Sequence, residues 1–269
     1  MKGQISIIGC GWLGLPLAKN LIDNGYKIKG STTSTEKLSQ LKNTAIEGYT
    51  IQLNENGTIG KIDAFLDASE TIIINIPPGL RRHPDKDHVK EIEHLMHAIT
   101  RHKIKNVLYV SSTSVFENEA HFPVIKNNTK PNATSNSALQ LIAIEKMLKA
   151  NDNFNTTILR FGGLIDSERH PGKMLSGRKN ISDPDAPINL IHKEDCIEII
   201  STILQQNYWN TAINASYPFH QKKSDYYISY SKTHGLDLPE FNLNEKSKGK
   251  IIDSSELVQL LKYRFKQAP

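Results

Sequence analysis

Apolar residues in this chain come in short runs that alternate between extended and helical spacing. Gln4–Ile8 is a β-branched run ending in glycine, and Leu13–Asp23 then carries apolar residues at helical spacing until Asn24-Gly25 stops it. Tyr26–Lys29 resumes an extended pattern, which completes a βαβ unit. Further strands are predicted over Gly48–Leu53, Thr71–Ile76, Asn106–Ser111 and Thr156–Phe161, with amphipathic helices over Lys86–Lys103 and Asn136–Asn151. β and α in strict turn predict an α/β fold of Rossmann type, a doubly wound parallel sheet that binds ligands at the carboxyl ends of its strands. Beyond Leu164 the regularity fades, and Pro171, Gly172, Gly177, Pro184 and Pro187 punctuate a loop-rich stretch before a helix over Lys193–Gln206. The pattern therefore predicts a Rossmann domain over 1–165 and a smaller, mixed α/β, loop-rich substrate-side region over 166–269.

The first turn carries the clearest chemistry. Gly9-Cys10-Gly11-Trp12-Leu13-Gly14 follows a predicted strand and opens a predicted helix, the context in which a Gly-x-Gly-x-x-Gly pattern points to a dinucleotide. Gly9 permits the tight turn, Gly11 lets the backbone approach a pyrophosphate, and Gly14 allows close helix–strand packing; the helix N-terminus offers N–H groups to the anion. Trp12 and Leu13 complete the predicted loop. Cys10 is read as a small packed residue rather than a nucleophile. At the end of the second strand, where NAD proteins commonly place a carboxylate for the ribose, stand Ser31-Thr32-Thr33-Ser34, with Lys37 nearby. The missing carboxylate favours NADP over NAD, although the same hydroxyls also suit a helix N-cap. Ile76, Pro77 and Pro78, at the end of a later strand, are expected to border the cofactor.

Four segments together resemble the extended short-chain dehydrogenase/reductases, the group that includes NAD-dependent epimerases and dehydratases of nucleotide sugars. They are the glycine loop, Val110-Ser111-Ser112-Thr113-Ser114-Val115-Phe116, Leu159-Arg160-Phe161-Gly162-Gly163-Leu164, and Asn189-Leu190-Ile191-His192-Lys193-Glu194-Asp195. The resemblance implies that Ser112 hydrogen-bonds the reacting oxygen of a substrate, that Ser111 lies beside the cofactor, and that Phe161 and Gly162 border the nicotinamide. It also implies a Tyr-x-x-x-Lys pair, and here the chain departs from the family. The frame ending at Glu145 places Ser137 and Leu141 at those positions, and no tyrosine occurs between Tyr109 and Tyr208. A positioned acid/base contributes about 10²–10⁴-fold in rate, so catalysis by the usual pair is expected to be severely weakened or absent. The resemblance is thus to an atypical member.

Other groups invite a chemical reading. Arg81, Arg82 and His83 follow Pro77-Pro78-Gly79, and Arg169, His170, Arg178 and His192 lie in the later region, where each could meet an anionic substrate. A solvated loop accounts equally for the first three, and a buried or capping role for His192. His88, His94, His97 and His102 share one predicted helix; a solvated face is expected there rather than a metal site.

Composition narrows the setting. Hydrophobic residues make up 38% and charged residues 23% of 269, enough for a substantial core. With only two cysteines, no signal-peptide pattern and no membrane-length apolar run, the expected compartment is the cytoplasm. The net charge of +5 is spread over 33 basic and 28 acidic residues without a basic tract, so neither nucleic acid nor membrane is an expected partner. The expected partner is a small anionic or sugar-like substrate, with a homodimer left open. Two functions stand at this level: an NAD(P)-dependent oxidoreductase or epimerase, and a dinucleotide sensor or scaffold without chemistry.

Overall fold

The structure is a computed structural model that describes residues 2–42 and 44–269. In chain order its elements are β1 (Gln4–Ile8), α1 (Gly14–Asp23), β2 (Lys27–Thr32), α2 (Thr35–Lys42), β3 (Ile46–Asn54), β4 (Gly57–Gly60), α3 (Ile62–Leu66), β5 (Thr71–Ile74), α4 (His88–Arg101) and β6 (Asn106–Ser112). There follow β7 (Val124–Ile125), α5 (Asn136–Lys149), β8 (Asn155–Phe161), β9 (Gly163–Ile165), α6 (Pro171–Leu175), β10 (Leu190–His192), α7 (Lys193–Gln206), β11 (Thr211–Ala215), α8 (Lys223–Thr233), β12 (Ile251–Ile252) and α9 (Ser255–Leu261).

The main sheet has eight strands in the order β11-β8-β6-β5-β1-β2-β3-β4. β1 pairs in parallel with both β2 and β5, and the parallel ladder continues to β3 and β6. Counted without β4 and β11, this is the doubly wound order, and its switch point falls between β1 and β5. Ile7 and Ile72–Ile74 of these central strands are fully buried; covering both faces is why they read as continuous apolar runs. α1 buries Gly14, Leu17, Ala18 and Leu21, one helical stripe, and ends where Gly25 takes a φ of +88°.

Strict alternation fails at one edge. β3 turns directly into antiparallel β4, which the sequence pattern did not show because Gly57 and Gly60 leave no period-two signal. The single division after residue 165 also gives way to interleaved segments. One compact unit comprises Met1–Ser112, Ser135–Leu159 and Ile197–Ala212; the other comprises Thr113–Thr134, Arg160–Cys196 and Ile213–Pro269. β8, α7 and β11 each begin in one unit and end in the other, so no single cut in sequence separates them. The second unit has its own small core of Ile165, Ile188, Leu190, Tyr226 and Tyr227, and its own two-stranded pairings, β9 with β10 and β7 with β12.

Candidate functional site

The glycine loop leaves the carboxyl end of β1 at the switch point of the sheet. Gly9 has φ +101°, and a Cβ there would lie 2.3 Å from the Asn75 carbonyl oxygen. Gly14 is required by packing: its Cβ would meet the Gly9 carbonyl at 2.2 Å. Gly11 is different. A Cβ at Gly11 would meet nothing within 4 Å, and its φ lies outside the left-handed region. Neither backbone strain nor a protein neighbour accounts for a glycine at 11, whereas close approach of a pyrophosphate does. α1 begins with no side-chain cap and no acid in its first turn, so its N-terminal dipole is left for an anion. The donor set therefore fits a dinucleotide pyrophosphate, with Gly11, Trp12, Leu13 and the start of α1 as the cradle.

The residues after β2 divide by role. Ser31 is 2% exposed; its Oγ accepts the Gly9 N–H at 3.2 Å and its carbonyl accepts the Cys10 N–H at 2.8 Å, so it braces the loop from below. Thr32 is buried, Thr33 and Lys37 are exposed, and Ser34 caps α2 by accepting the Lys37 N–H at 3.2 Å. Glu36, in the first turn of α2, is an exposed carboxylate that the reading of Ser31–Ser34 passed over. Burial pushes the Cys10 thiol up to about 12, against a smaller opposing effect of its hydrogen bond to Ser31, which leaves it protonated and inert at neutral pH.

Across the switch point, Asn75 donates from Nδ2 to the Gly9 carbonyl at 3.1 Å, a brace that sequence reading missed because the two residues are far apart in the chain. Beyond β5, Ile76 and Pro78 are half-buried and Pro77 is exposed, and Gly79 turns with φ +76°. The loop beyond, with Arg81, Arg82 and His83 exposed, is tied to α5. Asn136 donates to the Pro84 carbonyl at 3.2 Å and Gln140 to the Lys86 carbonyl at 3.0 Å. α5 is the helix on which the Tyr-x-x-x-Lys frame falls. Ser137 is half-buried, and Leu141, 4% exposed, is part of the core. Ser111 is buried and spends its hydroxyl on Glu145 Oε1 at 2.6 Å, while Ser112 ends β6 half-buried. Tyr109 offers no replacement acid, because it is fully buried and burial, reinforced by Glu145, pushes its hydroxyl far up.

His88 departs from the expected solvated face. It is fully buried, with Nδ1 2.8 Å from Glu91, which also pairs with Lys86 at 2.8 Å. His94 and His102 reach the Glu55 carbonyl and Asp63 instead. Among the described residues no group of three or more His, Cys, Asp or Glu side chains could hold a metal ion.

In the second unit, Phe161 is 2% exposed, and Gly162 and Gly163 pack against β10 and the residue before it. A Cβ at Gly162 would lie 2.7 Å from the Asn189 carbonyl, and the Gly163 N–H donates to that carbonyl at 2.7 Å. Asp166 is raised by burial, but the Lys193 ammonium and the Arg169 and Glu168 N–H groups outweigh that and hold it at about 2. His170 accepts the Gly172 N–H at Nδ1, which fixes Nε2 as the protonated nitrogen facing the Tyr226 hydroxyl at 2.9 Å. Its ring stacks on Tyr230 at 3.8 Å. Burial, with the His234 and Lys173 charges, pulls it down to about 4, so it is a neutral structural pin. Arg178 is exposed; His192 accepts the Glu194 N–H at 3.3 Å, a capping role before Asp195.

A family model described as NAD(P)H-binding matches residues 9–205 of this chain, beginning at the first glycine of the loop. The chain belongs to the NAD(P)H-binding family. Protein YeeZ of Escherichia coli K12 is 29% identical over 97% of this chain and 95% of its own length. Among solved structures, MoeE5 in complex with UDP-glucose and NAD superposes with TM-score 0.79 at 14% identity, covering 99% of this chain and 94% of its own. The UDP-glucuronic acid 4-epimerase of Bacillus cereus in complex with NAD gives 0.78 at 16%, covering 98% and 94%. At these identities the likeness establishes the fold. Family and fold together agree with the expected Rossmann-type NAD(P)-binding protein. No helix among the described residues is long and apolar enough to cross a membrane.

Proposed function

We propose that this protein is an NAD(P)-dependent oxidoreductase or epimerase acting on a small, sugar-like or anionic substrate. The observation that carries the proposal is Gly11, a glycine that nothing in the protein demands, beside an uncapped helix N-terminus at the sheet's switch point. NADP is favoured over NAD by Thr33, Ser34 and Lys37, the accessible part of the hydroxyl-rich segment after β2, with exposed Glu36 as an opposing charge. The UDP-glucose and NAD held by MoeE5 and the NAD held by the UDP-glucuronic acid 4-epimerase support a sugar-like substrate and a nicotinamide cofactor. The bound dinucleotide would supply hydride transfer. Ser112 orients the substrate oxygen, Ser111 and Glu145 hold the strand end in place, and the proton moves through water or a group other than the absent tyrosine.

Leu141 in the core, where the family's lysine would stand, favours a second reading: a dinucleotide sensor without chemistry. A cofactor-turnover screen separates the two. Steady NAD(P)H consumption or formation with any of a panel of aldehydes, ketones and nucleotide sugars, or conversion of a nucleotide sugar to its epimer with no net change in the cofactor, is expected for the enzyme. Tight cofactor binding with neither cofactor turnover nor substrate conversion across the panel would establish the sensor.

A further inference from the structure

Residues 79–86 follow the carboxyl end of β5 as the glycine loop follows that of β1, and β1 and β5 are the neighbours on either side of the switch point. The two loops are therefore opposite walls of the crevice in which a doubly wound sheet holds its ligands. The later loop is compact. Gly79 turns with φ +76°, its carbonyl accepts the Arg82 N–H at 3.0 Å and the His83 N–H at 3.2 Å, and the Lys86 N–H returns to the His83 carbonyl at 3.2 Å. Its ends meet, since Lys86 Nζ lies 3.9 Å from where a Cβ on Gly79 would stand. A short surface loop with adjoining ends is of the Ω type, a form that frequently carries function.

The base of this loop is fastened and its tip is not. The Pro84 and Lys86 carbonyls accept from Asn136 and Gln140 of α5, Gln140 Oε1 accepts the His88 N–H at 2.7 Å, and Glu55 accepts the Asp87 N–H at 2.7 Å. Glu91, 3% exposed, ties the loop to α4: its Oε2 meets both Lys86 Nζ and His88 Nδ1 at 2.8 Å. Burial raises the Glu91 carboxyl, but the His88 and Lys86 hydrogen bonds outweigh that and hold it below the ordinary range, so the tie is an ionised carboxylate. At the tip Arg81, Arg82 and His83 are exposed, and among the described residues the Arg81 and Arg82 guanidiniums have neither an ion pair nor a hydrogen bond. Two adjacent unpaired cations on the wall of a ligand crevice draw anions into it.

We propose that residues 79–86 are a lid on this crevice, hinged at Gly79 and anchored by Glu91, whose Arg81 and Arg82 close on the carboxylate of an acidic substrate. The glycine loop and the start of α1 already serve the pyrophosphate of a dinucleotide, which leaves the two guanidiniums to the other ligand of the crevice. Each guanidinium offers paired N–H donors in one plane, the geometry of a carboxylate's two oxygens. With its base held on α5 and α4, only the tip has to move, and closure shields the reacting carbon from water. The inference deepens the enzyme reading above by naming the charge class of the substrate, and rests on that reading for a substrate in the crevice.

The test is hydrogen–deuterium exchange of the full chain read by mass spectrometry, first alone, then with NADPH, then with NADPH and one of glucuronate, gluconate, malate, glucose or glucose 1-phosphate. Exchange in residues 79–86 is expected to slow severalfold with at least one of the three acids and not with glucose. The slowing should vanish in the Arg81→Gln, Arg82→Gln double variant, whose exposed positions leave the core untouched. Glu91→Gln should raise exchange in the same segment before any ligand is added. No slowing with any acid, equal slowing with glucose, or equal slowing in the double variant would overturn the proposal. Slowing with glucose 1-phosphate alone would overturn the carboxylate and give the arginines to a phosphate, and unchanged exchange in Glu91→Gln would overturn the anchor. Peptides covering residues 9–14, expected to slow with NADPH by itself, report on the glycine loop, so failure of the dinucleotide reading and failure of the lid give different results.

Discussion

A methyl group added at Gly14 would sit 2.2 Å from a backbone oxygen, while one added at Gly11 would touch nothing in the protein. Gly14→Ala should therefore cost about 1–3 kcal/mol, the range for overpacking a site that cannot relax. Gly11→Ala should change stability by about 0.5 kcal/mol or less and act on cofactor affinity alone. Urea melts of the two variants, read beside NADPH titrations, check the contrast; equal destabilisation would remove the argument that Gly11 is reserved for a ligand. His170 makes a different residue-scale prediction. Its folded pKa, about 4, lies below the unfolded value of about 6.5, so the unfolded chain takes up its proton first. Its full contribution is present above pH 6.5 and is lost as pH falls through the window from 6.5 to 4, by about 3 kcal/mol at most. His170→Gln should flatten the urea midpoint across that window. Asp166, held at about 2, loses its contribution as pH falls from the ordinary carboxylate value of about 4 toward 2, so the upper part of the window, from 6.5 to 5, reads His170 without it.

At the scale of elements, α5 decides what chemistry is open to the chain. Leu141 is 4% exposed, and replacing it with lysine would put an unpaired charge in the core. Leu141→Lys should lower stability by about 3 kcal/mol or more in denaturant unfolding. A loss under about 1 kcal/mol would mean that the position opens onto solvent and that the family's pair could be restored. The same elements show what was legible in the sequence. β1 and α7 match their expected bounds, and α1, α4, α5, β6 and β8 fall within a residue or two. Each buries one stripe or both faces, which leaves a periodic or continuous apolar signal. β7, β9, β10 and β12 are two or three residues long and are held by pairing with distant partners, such as Ile251 with Val124, so no local pattern announces them. His88 was read as solvated because its neighbours are polar. It is buried because it starts α4, beneath Gln140, whose Oε1 accepts its N–H at 2.7 Å.

For the whole molecule, the glycine loop was legible because a single short segment carries its geometry. The bracing of that loop by Asn75 and the fastening of residues 79–86 to α5 were not, because each joins segments far apart in the chain. The interleaved division has the same origin: β8, α7 and β11 each belong to both units, and only the folded chain reveals where contacts concentrate. The central claim, that this chain holds a nicotinamide dinucleotide at the loop from Gly9 to Gly14, is tested most directly by calorimetric titration of NADPH, NADP, NADH and NAD into the protein and its Gly11→Asp variant. Binding that is tightest for the phosphorylated pair and lost in a variant of unchanged melting temperature is the predicted result. No binding by any of the four, or equal binding by the variant, would contradict it.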